Sequence, residues 1–86
     1  MPYGSRTAQD HLRSMARERI ADGSLPLIFP PPITDAGHGS GLVCHLCAQR
    51  IGRYRVQYDV ADFRHGCALR FHIACYLAWQ LECVEP

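Results

Sequence analysis

A small α+β fold that needs a staple beyond its own core is what the sequence predicts, and three observations predict it. The chain has 86 residues, a length at which only about 60–65% of the unfolded surface is hidden on folding. Scaffolds of that size commonly add disulfides, a metal or a partner subunit. Helical periodicity at both ends encloses a stretch of strand-like alternation. Cysteine and histidine then fall in two tightly spaced pairs, Cys44-x-x-Cys47 and His72-x-x-Cys75.

Residues 6–22 read as an amphipathic helix. Ala8, Leu12, Met15, Ala16 and Ile20 recur at helical spacing, while Arg6, Asp10, Arg13 and Arg17 lie mostly elsewhere. Ser5 or Thr7 can cap its start, Thr7-x-x-Asp10 loosely resembles a capping box, and Gly23 stands where a helix end wants a left-handed residue. Residues 25–33 cannot be helical, because Pro30, Pro31 and Pro32 favour extended backbone. They are expected to lie along the domain surface as an apolar strap. Residues 34–41, with Gly37, Gly39 and Gly41, read as a flexible loop.

From Leu42 the texture changes to short strands. Residues 42–44 lead into the first pair and residues 48–53 lead away from it. Tyr54, Val56, Tyr58 and Val60 alternate with Arg55, Gln57 and Asp59, a half-buried strand pattern. Arg64-His65-Gly66 makes a turn, and residues 67–71 return as the partner strand. Residues 71–82 read as a helix with Ile73, Ala74, Leu77, Ala78 and Leu81 on its apolar side. The whole is one compact domain in two parts: residues 1–41 (helix, strap and loop) and residues 42–86.

The two pairs carry the chemistry. Two ligands separated by two residues suit a tight turn that points both side chains at one ion, and His72 and Cys75 share one face of a helix start. A helix N-terminus also favours nearby thiolates. Residues 48–71, 24 in all, are enough for a hairpin that brings the pairs together. Zinc takes four such donors in a closed tetrahedron when its role is structural. Cys44, Cys47, His72 and Cys75 are therefore the expected ligands of one structural Zn²⁺. Two other readings stay open: reduced buried cysteines with a core histidine, and a redox dithiol at Cys44 and Cys47, which the lack of a surrounding βαβ pattern disfavours. His65 or Cys67 could replace a ligand if the pairing differs. Five cysteines fit a closed disulfide set poorly. His45 is expected to turn its ring to solvent, Cys83 to be a free thiol, and His11 and His38 to lie on the surface.

The order Cys44-x-x-Cys47, hairpin, His72-x-x-Cys75 on a helix resembles the treble-clef zinc fingers. Its ligand types are similar to the first zinc module of LIM domains. The resemblance covers residues 42–82 and carries over the four ligand positions alone; a second Cys-rich module is absent, and Ala48 stands where many knuckles have glycine. The stretch from Ala16 to Pro26, the Gly-rich loop and the His72-x-x-Cys75-Tyr-x-x-Trp79 ending also resemble a family of small bacterial proteins with no settled activity. That likeness implies architecture rather than function.

All nine basic residues are arginine and the formal charge is +1. Three thiolates and a dication would bring the total to about zero, since −3 + 2 cancels the +1. No global field would then draw in nucleic acid. The apolar runs are far shorter than the ~20 residues a membrane span needs, and Arg6, Asp10, Arg13 and Arg17 interrupt any N-terminal signal core, so a cytoplasmic location is expected. Four protein ligands leave no open metal position and no motif joins Asp59, Asp62 and Glu82, so catalysis is not expected. The expected role is a protein-interaction or regulatory module, with a protein partner or self-association engaged through residues 25–33, Trp79, Tyr54 and Tyr58. Nucleic-acid binding through Arg50, Arg53, Arg55, Arg64 and Arg70 is the alternative, and thiol-based redox or metal sensing a third.

Overall fold

The computed structural model describes residues 8–27, 33–62 and 67–84, with the side chains of Asp62 and Cys67 outside that description. Two helices and three strands follow in the order α1 (Ala8–Ala21), β1 (Ile33–His38), β2 (Val56–Asp62), β3 (Cys67–His72) and α2 (Ile73–Val84). The strands form one antiparallel sheet in the order β1-β2-β3. The expected small α+β class is what is found. Ser5, Thr7, residues 28–32 of the expected strap and the turn at Arg64, His65 and Gly66 lie outside the described residues.

The hairpin has the expected strands, with Tyr58 opposite Phe71 and Val60 opposite Leu69. Val60, Leu69 and Phe71 are buried and Tyr58 is half-buried, so one face of the pair is the core face. The alternation ends early, however. Tyr54 precedes the strand and is 88% exposed, while Gln57 on the opposite face is buried. Gln57 is satisfied there: its Oε1 accepts from the Ser40 N–H (2.9 Å) and hydroxyl (2.8 Å), and its Nε2 donates to Asp59 (2.8 Å).

Two expectations about elements are corrected. Residues 33–38 form an edge strand rather than a flexible loop. All six are exposed, so no hydrophobic pattern marks them, and the backbone ladder to β2 supplies the order. The loop beyond is held equally firmly. Gly39 donates to the Arg55 carbonyl (2.9 Å), and a side chain at this position would run into the Gly52 carbonyl oxygen.

The second correction concerns α2. Its buried side is Cys75, Tyr76, Ala78, Trp79, Glu82 and Cys83, whereas Ile73, Ala74 and Leu77 are exposed and Leu81 is half-buried. Of the five residues expected on the apolar side, Ala78 alone is fully buried. A helix with apolar residues all round does not announce its rotation. Packing decides it: Trp79 stacks on Phe71 (centroids 5.0 Å), and Tyr76 meets Tyr58 edge-on (5.3 Å). Trp79 and Leu25, expected in an exposed patch, are fully buried. The Trp79 indole donates to the Pro26 carbonyl (2.9 Å), which fixes the chain leaving α1 onto α2.

Helix α1 ends at Gly23 (φ +86°) as expected. It lays Ala16 into the core with Leu12, Met15 and Ile20 around it. Arg13 and Arg17 do not simply face water: both reach Glu82 of α2, at 2.6 and 3.0 Å. Burial alone would raise the Glu82 carboxyl, but hydrogen bonds from Arg17 and Arg13 outweigh it and hold the group below its ordinary range.

Two outcomes are expected. Gly39→Ala costs about 1–3 kcal/mol in denaturant unfolding because backbone must move, whereas Gly37→Ala, with open space around its Cβ, stays within about 0.5 kcal/mol. Glu82→Gln costs about 1.5–3 kcal/mol at neutral pH by weakening charged hydrogen bonds. The folded carboxyl titrates below its unfolded value of about 4.3, so its contribution is full above that pH and is lost as pH falls through the folded value. The stability gap between parent and Glu82→Gln therefore closes on acidification below pH ~4; a gap that did not change with pH would mean the folded carboxyl titrates no lower than the unfolded one.

Candidate metal centre

The first pair sits in a knuckle built by backbone hydrogen bonds. Cys44 N–H donates to the Gln49 carbonyl (2.8 Å), Ala48 N–H to the Cys44 carbonyl (3.1 Å), and Val43 bridges Arg50. To turn so tightly, Ala48 adopts φ +63°, the left-handed conformation that glycine takes without strain. The departure noted at this position in the sequence is thus a real conformational cost. The second pair straddles an element boundary: His72 closes β3 and Cys75 lies in the first turn of α2.

The folded chain brings these four residues together. One ligand atom from each of Cys44, Cys47, His72 and Cys75 lies within 4.8 Å of every other, a group that could hold a metal ion. Cys44 and Cys75 are buried, and Cys47 and His72 are half-buried. His72 Nδ1 stands 3.5 Å from Cys47 Sγ and 3.8 Å from Cys75 Sγ, while Nε2 lies 3.3 Å from the Arg50 carbonyl. A carbonyl oxygen only accepts, so Nε2 carries the proton and Nδ1 turns its lone pair toward the sulfurs. This is the outer hydrogen bond that usually orients a metal-binding imidazole.

The sulfurs are poised for a cation. A hydrogen bond from the Cys75 thiol, the largest influence, outweighs burial and pulls Cys44 down to about 4; backbone N–H groups of Cys47, Leu46 and His72 assist. Cys75, as the donor in that pair, is pushed up. Three thiolates this close repel one another, and one cation removes the conflict for all of them. The donor set, three sulfurs and an imidazole nitrogen, fits a soft or borderline ion such as zinc.

Neighbouring residues depart from expectation. His45 points away from the cluster, yet its ring is half-buried rather than solvent-facing. Its backbone N–H donates to the Arg70 carbonyl and its ring Nδ1 accepts from the Arg70 N–H, both at 2.9 Å, so the knuckle is stitched to the outer edge of β3. Cys83 is buried at the far end of α2 without a disulfide, and Cys67 opens β3 opposite Asp62. Of the five arginines, Arg50, Arg53 and Arg55 lie on the exit from the knuckle, Arg70 lies opposite Asp59 in the sheet, and Arg64 is outside the described residues. The Arg13–Glu82–Arg17 clamp joins residues 69 and 65 positions apart, and nothing in the sequence pairs them.

Among the described residues, no helix is long and apolar enough to cross a membrane. Comparison with protein-family models, curated proteins and solved structures gives no significant match to this chain.

The strain at Ala48 is testable. Ala48→Gly should leave stability unchanged or raise it by up to about 1 kcal/mol, because relief of the left-handed strain (about 1–2 kcal/mol) exceeds the added freedom of the unfolded chain. Ala48→Val should cost about 1 kcal/mol or more, since a β-branched residue resists that conformation. Chemical unfolding of the metal-loaded protein measures both, and an order in which valine outranks glycine would contradict the turn.

Proposed function

We propose that this chain is a structural-zinc module that works by binding a partner, and that it performs no catalysis. The observation that carries this reading is the convergence of Cys44, Cys47, His72 and Cys75, whose ligand atoms lie within 4.8 Å of one another. Four protein donors complete the tetrahedron that zinc prefers in structural sites and leave no position for a reactive water. The succession of knuckle, hairpin β2–β3 and helix α2 supports a treble-clef arrangement, and the ligand types support a single LIM-like zinc unit. The zinc would contribute folding energy directly: apparent binding energies of structural zinc are about 10–16 kcal/mol, more than the roughly 3–5 kcal/mol a core of this size supplies.

A protein partner or a second copy of the chain is the partner class favoured by the apolar surface. Trp79 and Leu25 no longer count toward it. The outer side of α2 does, with Ile73 at 38%, Leu77 at 42% and Val84 at 45% exposure. Nucleic acid is the second class, favoured by the exposed Tyr54 on the arginine-bearing exit from the knuckle.

Native mass spectrometry before and after a strong chelator tests the metal reading. One zinc per chain is expected, with loss of the fold when it is removed. Cys75→Ser should lose the ion and the packing of α2, whereas Cys83→Ser should keep the ion. A metal-free chain that stays folded, or a reversible Cys44–Cys47 disulfide in place of metal, would overturn the proposal.

A further inference from the structure

Residues 36–58 contain Arg50, Arg53 and Arg55 but no aspartate or glutamate; Asp35 and Asp59 bracket the stretch. A chain with little net charge thus carries a local cationic segment, and within a Debye length of about 10 Å local charge is what a ligand meets. Asp59 is engaged by the Gln57 amide at 2.8 Å, and it faces Arg70 across the sheet. A zinc-bound cluster of three thiolates would add one negative charge, which the three arginines exceed.

Tyr54 stands in the middle of this segment at 88% exposure, the highest among the exposed large apolar side chains of the described residues. Arg53 lies over its ring, 5.2 Å from the centroid, and His38, Arg53 and Tyr54 line one open hollow. The turn that presents the ring is held by backbone hydrogen bonds. Arg55 N–H donates to the Gly52 carbonyl, Gly39 N–H to the Arg55 carbonyl, both at 2.9 Å, and Gly39 leaves no room for a side chain against Gly52. A turn that keeps an aromatic ring in water gains nothing from burying it. It presents a stacking platform beside the Arg53 cation.

We propose that Tyr54, flanked by Arg53 and Arg55 and with His38 beside it, is a docking site for single-stranded nucleic acid. A base stacks on the tyrosine ring, and neighbouring phosphates meet the guanidinium groups. Stacking tolerates any base, so recognition is sequence-independent and sensitive to salt. The inference rests on the binding-module reading and takes up its second partner class, nucleic acid, for which it names the site and the form bound; the apolar side of α2 stays available to a protein.

The test is fluorescence anisotropy of a labelled oligothymidylate titrated with the full zinc-loaded chain. Binding with a dissociation constant of about 1–100 μM at low salt is expected, with a log–log salt slope of about −1.4 to −2.1 for two to three phosphates. Tyr54→Ala should weaken binding about five- to hundredfold with zinc content and unfolding midpoint unchanged, Tyr54→Phe should bind as the parent does, and Arg53→Ala with Arg55→Ala should flatten the salt slope. Two results would overturn the inference: no binding at low salt by a chain that holds its zinc, which leaves the metal reading standing, or Tyr54→Ala binding as tightly as the parent.

Discussion

Three sulfurs and an imidazole nitrogen within 4.8 Å of one another set the terms for everything around them. As protonated groups they would be a polar defect in a thin core, and as bare thiolates they would repel. Around one cation they become its tightest part. The constraint propagates outward from there. His72 reaches the cluster from the last position of β3 and Cys75 from the first turn of α2, on the same side of the helix as the aromatic contacts that set its rotation. Trp79 and Glu82 then follow on the same side, one and two turns further along. His45, between the two cysteines of the knuckle, uses its turned-away position to engage both backbone groups of Arg70 and so covers the outer edge of β3.

The N-terminal part depends on that rotation at second hand. Trp79 holds Pro26 through its indole N–H, and Glu82 accepts from Arg13 and Arg17 of α1. Arg19 adds a hydrogen bond to the carbonyl of Leu46 inside the knuckle, at 3.3 Å. A carboxylate only 1% exposed would be costly to bury alone. Two guanidiniums from side chains themselves partly in solvent offset that cost and tie the two helices together. Loss of an ion held by these four residues would therefore be felt in α1 through α2, although none of the four lies on α1.

Much of this was legible in the sequence, and what was not has physical causes. The ligand pairs could be read because metal chemistry demands particular residues at particular spacing. Helix α1 and the hairpin showed clean periods, and Gly23 marked a helix end. The edge strand β1 was missed because it buries nothing, so Asp35 and Gly37 read as loop. The buried side of α2 was missed because Ile73, Leu77 and Leu81 make as good an apolar stripe as Tyr76, Trp79 and Cys83; tertiary contact chooses between them. The ion pairs to Glu82 span the whole chain and have no local signal. Ala48 was noticed as a departure, but its left-handed backbone is visible only in the folded knuckle.

Zinc K-edge X-ray absorption on the metal-loaded chain tests the shell directly. Ligation by Cys44, Cys47, Cys75 and Nδ1 of His72 predicts three sulfur scatterers at about 2.3 Å and one nitrogen at about 2.0–2.1 Å, with no further ligand. Four sulfurs would exclude His72 from the shell. An oxygen in the shell would mean an open coordination position. Either result would contradict a closed structural site made by these four residues.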